Sequence, residues 1–284
     1  MIKSYKLRRG IANSFIYAIL LILGLIWISP LVYLVLHSFR DEGLATVSYL
    51  IPKTYSFQNY IDLFTDTATL NFPRWFMNTF VVAVFSCIIS TLAVLMVSYS
   101  FSRLRFKARK PLINIGMILG MFPGFMTMIA IYYLLKAMGL TQSLVALVIC
   151  YSAGAGLGYQ ISKGFFDTIP RALDEAATID GATRNQIFWK IILPMSKPIV
   201  VYTVLTSFIG PWTDFILAKI IMGDARDNYT VAIGLQTMVS LEFKVNYFKR
   251  FLAGSVLVAV PISILFLFMQ RYYVEGVTAG GVKG

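Results

Sequence analysis

Six stretches of the chain are apolar almost throughout, at about residues 14–38, 75–101, 111–135, 142–162, 198–221 and 250–270. Each supplies about the 20 mostly apolar residues needed to cross a hydrocarbon core of about 30 Å. Lipid offers no partner to backbone N–H and C=O groups, so a segment that spans must satisfy them internally, as a helix does. The pattern therefore predicts an all-α membrane protein with six transmembrane helices. Pro30, Pro123, Pro211 and Pro261 fall inside four of the stretches. Each removes a helical donor and predicts a kink or local unwinding. The first stretch follows Lys3, Lys6, Arg8 and Arg9 as a signal peptide would, but it is too long and has no Ala-x-Ala end. It reads as a retained helix.

One connection breaks the pattern. "IPRALDEAATIDGATRNQIFWKIILP", residues 169–194, carries five charged side chains between Arg171 and Arg184 and is too short and polar to span. Pro170 fits a first helical position, and Asp174 with Glu175 sets negative charge against the positive end of a helix dipole. Ala172, Leu173, Ala176, Ala177 and Ile179 give a short helix one apolar side. Gly181 fits the left-handed residue that ends it. A second short helix is predicted from about Thr183 to Ile192, with Ile187, Phe188, Ile191 and Ile192 on one side and Leu193-Pro194 ending it. Such a pair either rests on a leaflet as an amphipathic surface helix or fits a groove on a soluble partner. The small residues Ala176, Ala177, Gly181 and Ala182 permit close approach.

Composition agrees with the membrane reading. The chain is 284 residues long, 58% hydrophobic and 13% charged, against about 25% charged in soluble domains. The formal charge of +12 would fit nucleic acid in a soluble protein, but its placement has another cause. Sixteen of the 25 Lys and Arg lie in the N-terminal segment, around residues 103–110, in 163–197 and at the C-terminal end. The other nine are nearly balanced by Asp41, Glu42, Asp62, Asp66, Asp224, Asp227 and Glu242. This bias places both termini in the cytoplasm and needs no nucleic acid. The predicted division is a cytoplasmic segment 1–13, a transmembrane domain 14–270 and a cytoplasmic tail 271–284. The domain holds a cytoplasmic loop at 163–197 and extracellular loops at 39–74 and 222–249. Tyr49, Tyr55, Phe57, Tyr60, Phe64, Phe72 and Trp75, in and just after the first extracellular loop, read as interfacial anchors or a small docking cap, with a loop lying on the headgroups as the alternative. Cys87 and Cys150 lie in apolar runs without CxxC or metal spacing and read as small buried hydrophobes.

"EAATIDGA", Glu175 to Ala182, followed by "ILP" at Ile192 to Pro194, resembles the EAA loop of ATP-binding-cassette importer permeases. The resemblance extends over most of the chain and implies the type I permease fold. It also implies that the loop forms a coupling helix seated in a cleft of a cytoplasmic ATPase subunit. Asp174, Glu175, Ala176, Ala177, Asp180, Gly181 and Ala182 would make that contact, with Glu175 holding the partner in register. "QRYYVEGVTAGGVKG", residues 270–284, resembles the tail of the second permease of maltose-type sugar importers. There, Glu275, Gly276, Thr278, Gly280, Gly281 and Lys283 would reach between two ATPase subunits. Without that resemblance the segment reads as a frayed terminus. The implied assembly has a sister permease, two ATPases and an extracellular sugar-binding protein, in the cell membrane of a prokaryote. ATP and Mg would sit on the ATPases, since this chain has no G-x-x-x-x-G-K-[ST] loop and is expected to bind no cofactor or metal. The implied cargo is an oligosaccharide, of maltose or maltodextrin type, with galacto-oligosaccharides as the alternative.

Asp214 is the only acidic residue inside a predicted span, in "GPWTDF" beside Trp212 and after Pro211. Intramembrane polar groups are costly and commonly functional, so this reads as a broken helix where an aromatic face and a carboxylate meet sugar hydroxyls. The alternative is a helix cap or a water contact. Asn78, Tyr132, Tyr133, Tyr151 and Gln160 are weaker pathway candidates, each equally open to packing or interfacial roles. His37, the sole histidine, reads as interfacial. A proton-coupled transporter using Asp214 would need more intramembrane carboxylates or histidines. A membrane enzyme lacks its HExxH, GxSxG or His/Asp cluster. "GAGLG" at Gly154 to Gly158 reads as small-residue helix packing.

Overall fold

The apolar stretches fold as helices, but only half of them as single ones. The computed structural model describes residues 2–42, 51–155, 158–240 and 244–279, and no strand is found among them beyond an isolated bridge between Arg40 and Tyr55. The helices are α1 (Ile2–Ser38), α2 (Gln58–Thr65), α3 (Phe72–Arg103), α4 (Arg109–Gly120), α5 (Gly124–Ala137), α6 (Leu144–Ala155) and α7 (Tyr159–Thr168). They continue with α8 (Ala172–Ile179), α9 (Arg184–Ile187), α10 (Leu193–Met195), α11 (Lys197–Thr213), α12 (Ile216–Met222), α13 (Val231–Met238) and α14 (Lys244–Ala279).

Three segments are long and apolar enough to cross a membrane alone: Ala12–Ser38, Phe72–Arg103 and Tyr247–Tyr272. Three further pairs qualify only together, α4 with α5, α6 with α7, and the α9–α10 segment with α11, bent by 102°, 40° and 85°. The stretch at 111–135 breaks where Pro123 predicts a kink, into two helices of 12 and 14 residues. Pro123 explains the break, since it has no N–H to give and is the residue before α5. Pro30 and Pro261, by contrast, sit inside unbroken helices. The stretch at 198–221 is broken as expected after Pro211: α11 ends at Thr213, and Asp214 is extended at φ −80°, ψ 112°.

The chain divides into two units. In the first (1–69 and 237–257), α2 is held to the end of α1. Ser38 Oγ lies 2.7 Å from Tyr60 Oη, and Asn59 donates to the carbonyls of Ser38 and Arg40. Arg250 forms ion pairs with Asp62 and Asp66. His37 is 1% exposed and stacked on Tyr33.

In the second unit (70–236 and 258–284), α3 packs against α6, α7 and α11. Every fourth residue from Val82 to Ser102 is small and buried: Val82, Ser86, Ser90, Val94, Ser98 and Ser102. Small side chains on one helix face let backbones approach closely. The hydroxyls also bond outward, Ser90 to the Tyr151 carbonyl, Ser98 to the Tyr159 carbonyl and Ser102 to Asp167. Phe72 and Trp75, expected as interfacial anchors, are core residues, 0% and 2% exposed. Tyr55, Phe57 and Phe64 are exposed, while Tyr49 lies outside the described residues. Both cysteines are buried and free. At Gly154 and Gly158 an added Cβ would meet nothing, so this glycine pair marks the junction of α6 and α7 and not a close helix contact.

Candidate functional site

The charged connection folds as a helix, a turn and a second, irregular helix. Asp174 and Glu175 occupy the first turn of α8, and Pro170 precedes its cap instead of starting it. The C-terminal end closes with two bonds, Gly181 N–H to the Thr178 carbonyl (3.0 Å) and Ala182 N–H to the Ala177 carbonyl (2.9 Å). This Schellman closure requires a left-handed residue, supplied by Gly181 at φ +82°. Thr183 then caps α9 in a capping box with Gln186. The helix does not end at Leu193-Pro194. It widens into a π-turn over Phe188–Ile192, and runs through α10 to Met195. A wider turn relieves the clash of the Pro194 ring with the preceding carbonyls.

A core cluster anchors this segment: Leu95 and Tyr99 of α3, Phe166 and Ile169 near the end of α7, Ala177, Ile187, Phe188, Ile192 and Ile199. Each fully buried Ile or Phe contributes about 1.5–3 kcal/mol, so the segment is seated firmly. Of α8, however, only Ala177 is buried. Leu173 and Ile179, expected on the packed side, are 36% and 87% exposed. Glu175, Ala176, Asp180 and Gly181 are exposed with them, and Ala182 is half-buried. The helix thus presents an apolar and acidic face outward.

Arg103, the last residue of α3, fixes the other side, a role that its sequence position did not signal. Its side chain is 5% exposed, pairs with Asp174 at 3.1 Å, and donates to the Phe166 and Ile169 carbonyls at 2.9 and 2.8 Å. Arg171 donates to the Ser102 carbonyl, and Tyr99 to that of Arg184. A cleft of about 350 Å³ remains between α8 and the end of α3, lined by Arg103, Arg105, Arg171 and Arg184 with Asp174 and Glu175.

A second cavity, about 270 Å³, opens among α3, α6, α7 and α11. Hydroxyls dominate its polar wall: Ser90, Tyr151, Ser162, Tyr202, Thr206 and Ser207. Tyr151 donates to Asp214 Oδ2 at 2.9 Å, while Asp214 Oδ1 accepts from the Leu217 N–H and so caps α12. Of the readings of Asp214, the helix cap is the one these bonds form. A neutral, hydroxylated lining can exchange hydrogen bonds with a neutral polar solute without forcing a charge into the membrane.

The remaining pathway candidates are not gathered there. Trp212 is 2% exposed and packs on Phe76 and Phe208. Asn78 donates to the Asp227 and Tyr229 carbonyls, and with Trp75 on the Arg226 carbonyl it clasps the 224–230 loop onto α3. Tyr132 and Tyr133 meet edge to face on α5, and Gln160 is exposed on α7. In the tail, the backbone at Glu275, Gly276 and Thr278 is helical within α14. Gly280, Gly281 and Lys283 lie outside the described residues.

The sequence profile of one family, described as the binding-protein-dependent transport system inner membrane component, matches residues 89–278. The galactooligosaccharides transport system permease protein GanQ of Bacillus subtilis is 34% identical, with 100% of each chain covered. The maltodextrin transport system permease protein MalD of Streptococcus pneumoniae is 33% identical, again with 100% of each covered. Among solved structures, a chain of a bacterial ABC transporter involved in the import of the acidic polysaccharide alginate matches with a TM-score of 0.75. The match covers 92% of this chain and 96% of that one, at 22% identity, and shows a shared fold.

Proposed function

The chain belongs to the family of binding-protein-dependent transport system inner membrane components, and we propose that it is one permease subunit of an ATP-driven oligosaccharide importer. It forms half of the translocation pathway, beside a sister permease, and takes its cargo from an extracellular binding protein. Two cytoplasmic ATPases drive it; this chain is a transport subunit and leaves ATP and Mg to them. The cargo is of maltodextrin type. What supports this reading of the sugar is full-length similarity to MalD and to further maltodextrin permeases; similarity of the same extent to GanQ supports galacto-oligosaccharides as the second reading.

The observation that carries the coupling role is the contrast across α8. One side is fixed to the core through Ala177 and the Arg103–Asp174 pair, while Glu175, Ala176 and Ile179 face outward without cover. A helix held on one face and bare on the other transmits a push from whatever covers it. Asp174, Glu175, Ala176, Asp180 and Gly181 are the proposed ATPase contact, with the 271–284 tail as a second one. The hydroxyl-lined cavity beside Tyr151 and Asp214 is the proposed stretch of sugar path.

The test is reconstitution in vesicles with the co-purifying ATPases and binding protein, reading ATP hydrolysis and uptake over a panel of sugars. Maltodextrins are expected to stimulate both. Stimulation by galacto-oligosaccharides alone would assign the second reading, and uptake driven by a pH gradient without ATP would overturn the importer assignment.

A further inference from the structure

Five cationic side chains from two separate parts of the chain converge on one cavity of about 430 Å³. Arg105 and Lys107 come from the turn before α4, Arg109 and Lys110 from its first turn, and Lys163 from α7. Lys163 is paired with Asp167 at 2.6 Å. No other cation of the group forms an ion pair among the described residues. An orientation signal needs positive charge somewhere in the connection. It does not need five cations around one hollow, where Asp167, paired with Lys163 and attracted by nearby Arg109, is outnumbered and the excess positive charge favours an anion.

The surroundings narrow the class of anion. Phe106 and Ile113 form an apolar wall of the same cavity. One turn on from Ile113 along α4 stands Met117, 46% exposed, and beside that stripe Leu112, Ile115 and Leu119 are 45%, 51% and 54% exposed. A small inorganic anion uses only the cations. A molecule that uses both surfaces has an anionic head joined to an apolar tail.

We propose that this cavity binds the phosphate headgroup of an anionic phospholipid of the cytoplasmic leaflet, with an acyl chain laid along the exposed face of α4. Guanidinium and ammonium donors suit phosphate oxygens, and basic pockets on the cytoplasmic side of helix bundles are suited to such heads. The inference uses the placement of charge and apolar surface and does not depend on the sugar or on the ATPase contact.

The full-length protein, purified with whatever subunits accompany it, is placed in nanodiscs of equal phosphatidylglycerol and phosphatidylcholine. Lipid retained after transfer to detergent is then read by native mass spectrometry. Retention of phosphatidylglycerol over phosphatidylcholine is expected. The Lys107→Gln/Lys110→Gln double variant, which leaves Arg103, Arg105 and Arg109 to keep the orientation, should lose about tenfold or more of it. Lys107→Arg/Lys110→Arg should restore it, and Lys190→Gln/Lys197→Gln, on the same side but outside the cavity, should leave it unchanged. Equal retention of the two lipids, or equal losses in the two Gln double variants, would overturn the site. Displacement of the lipid by millimolar inorganic phosphate would reassign the cavity to free phosphate and overturn the lipid. Unchanged lipid retention with loss of accompanying subunits would assign the cations to a protein contact instead.

Discussion

Arg103 Nη1 stands 3.1 Å from Asp174 Oδ2, so the final residue of α3 is tied to the first turn of α8. Removing Arg103 strands a carboxylate and two carbonyls at once, and a stranded buried group costs about 1–3 kcal/mol. Arg103→Ala is expected to lower ATP-coupled uptake about tenfold or more. Asp174→Asn should cost less, because Arg103 keeps the Phe166 and Ile169 carbonyls. A double-mutant cycle on uptake checks this: the double variant should be little worse than Arg103→Ala, and additive losses would mean that the two act separately.

Glu175 sits on the outward face of α8 and forms no side-chain hydrogen bond or ion pair among the described residues. Glu175→Ala should therefore leave membrane abundance and melting unchanged while lowering coupled ATP hydrolysis. Quantitative blotting beside uptake measures the split. Unchanged uptake would remove Glu175 from the coupling contact.

Gly181 has open space around it but a φ of +82°. Any penalty for a side chain there is one of backbone conformation, about 1–2 kcal/mol for alanine and less for asparagine. Gly181→Ala should loosen the α8–α9 turn more than Gly181→Asn, read as protease sensitivity at that turn. Equal sensitivity would dismiss the left-handed requirement.

Gly234 presents the opposite case. A Cβ there would overlap the ring of Trp75, and Trp75 is buried with its indole N–H on the Arg226 carbonyl. Gly234→Ala should destabilise the protein by about 1–3 kcal/mol and lower its melting temperature. Trp75→Phe in that background should recover part of the loss.

Tyr151 and Asp214 separate cavity chemistry from helix capping. Tyr151→Phe removes the hydroxyl but leaves the Asp214 cap on Leu217, so uptake should change while melting does not. Asp214→Ala removes both, and loss of a cap costs about 0.5–2 kcal/mol, so its melting temperature should fall as well. Indistinguishable melting curves would argue against the cap.

Local chemistry made the α8–α9 hairpin legible in the sequence: Asp174 and Glu175 at one end and Gly181 at the turn are read within a few residues, whereas the Thr183–Gln186 capping box emerged only in the structure. The apolar stretches were legible as membrane segments for the same reason. Long-range partners were not. Arg103 gave no sign of Asp174, and Asn78 looked like a pathway amide until its two carbonyl partners, more than a hundred residues away, were in view. Hydropathy also carries no direction, so it could not show that the chain turns by 102° at Pro123. Nor could amphipathicity show which side of α8 faces inward, since Ala177 and Ile179 are both apolar.

Buried Ser196 is the elbow where the α9–α10 rod meets α11 at 85°. Two rods at nearly a right angle pass almost no thrust along each other's axes. A push on the first reaches the second as a turning moment about the elbow, and α11 swings sideways. That helix walls the hydroxyl-lined cavity and is capped at Asp214, so under the proposed coupling the same joint would make the hairpin a crank for the cavity's width.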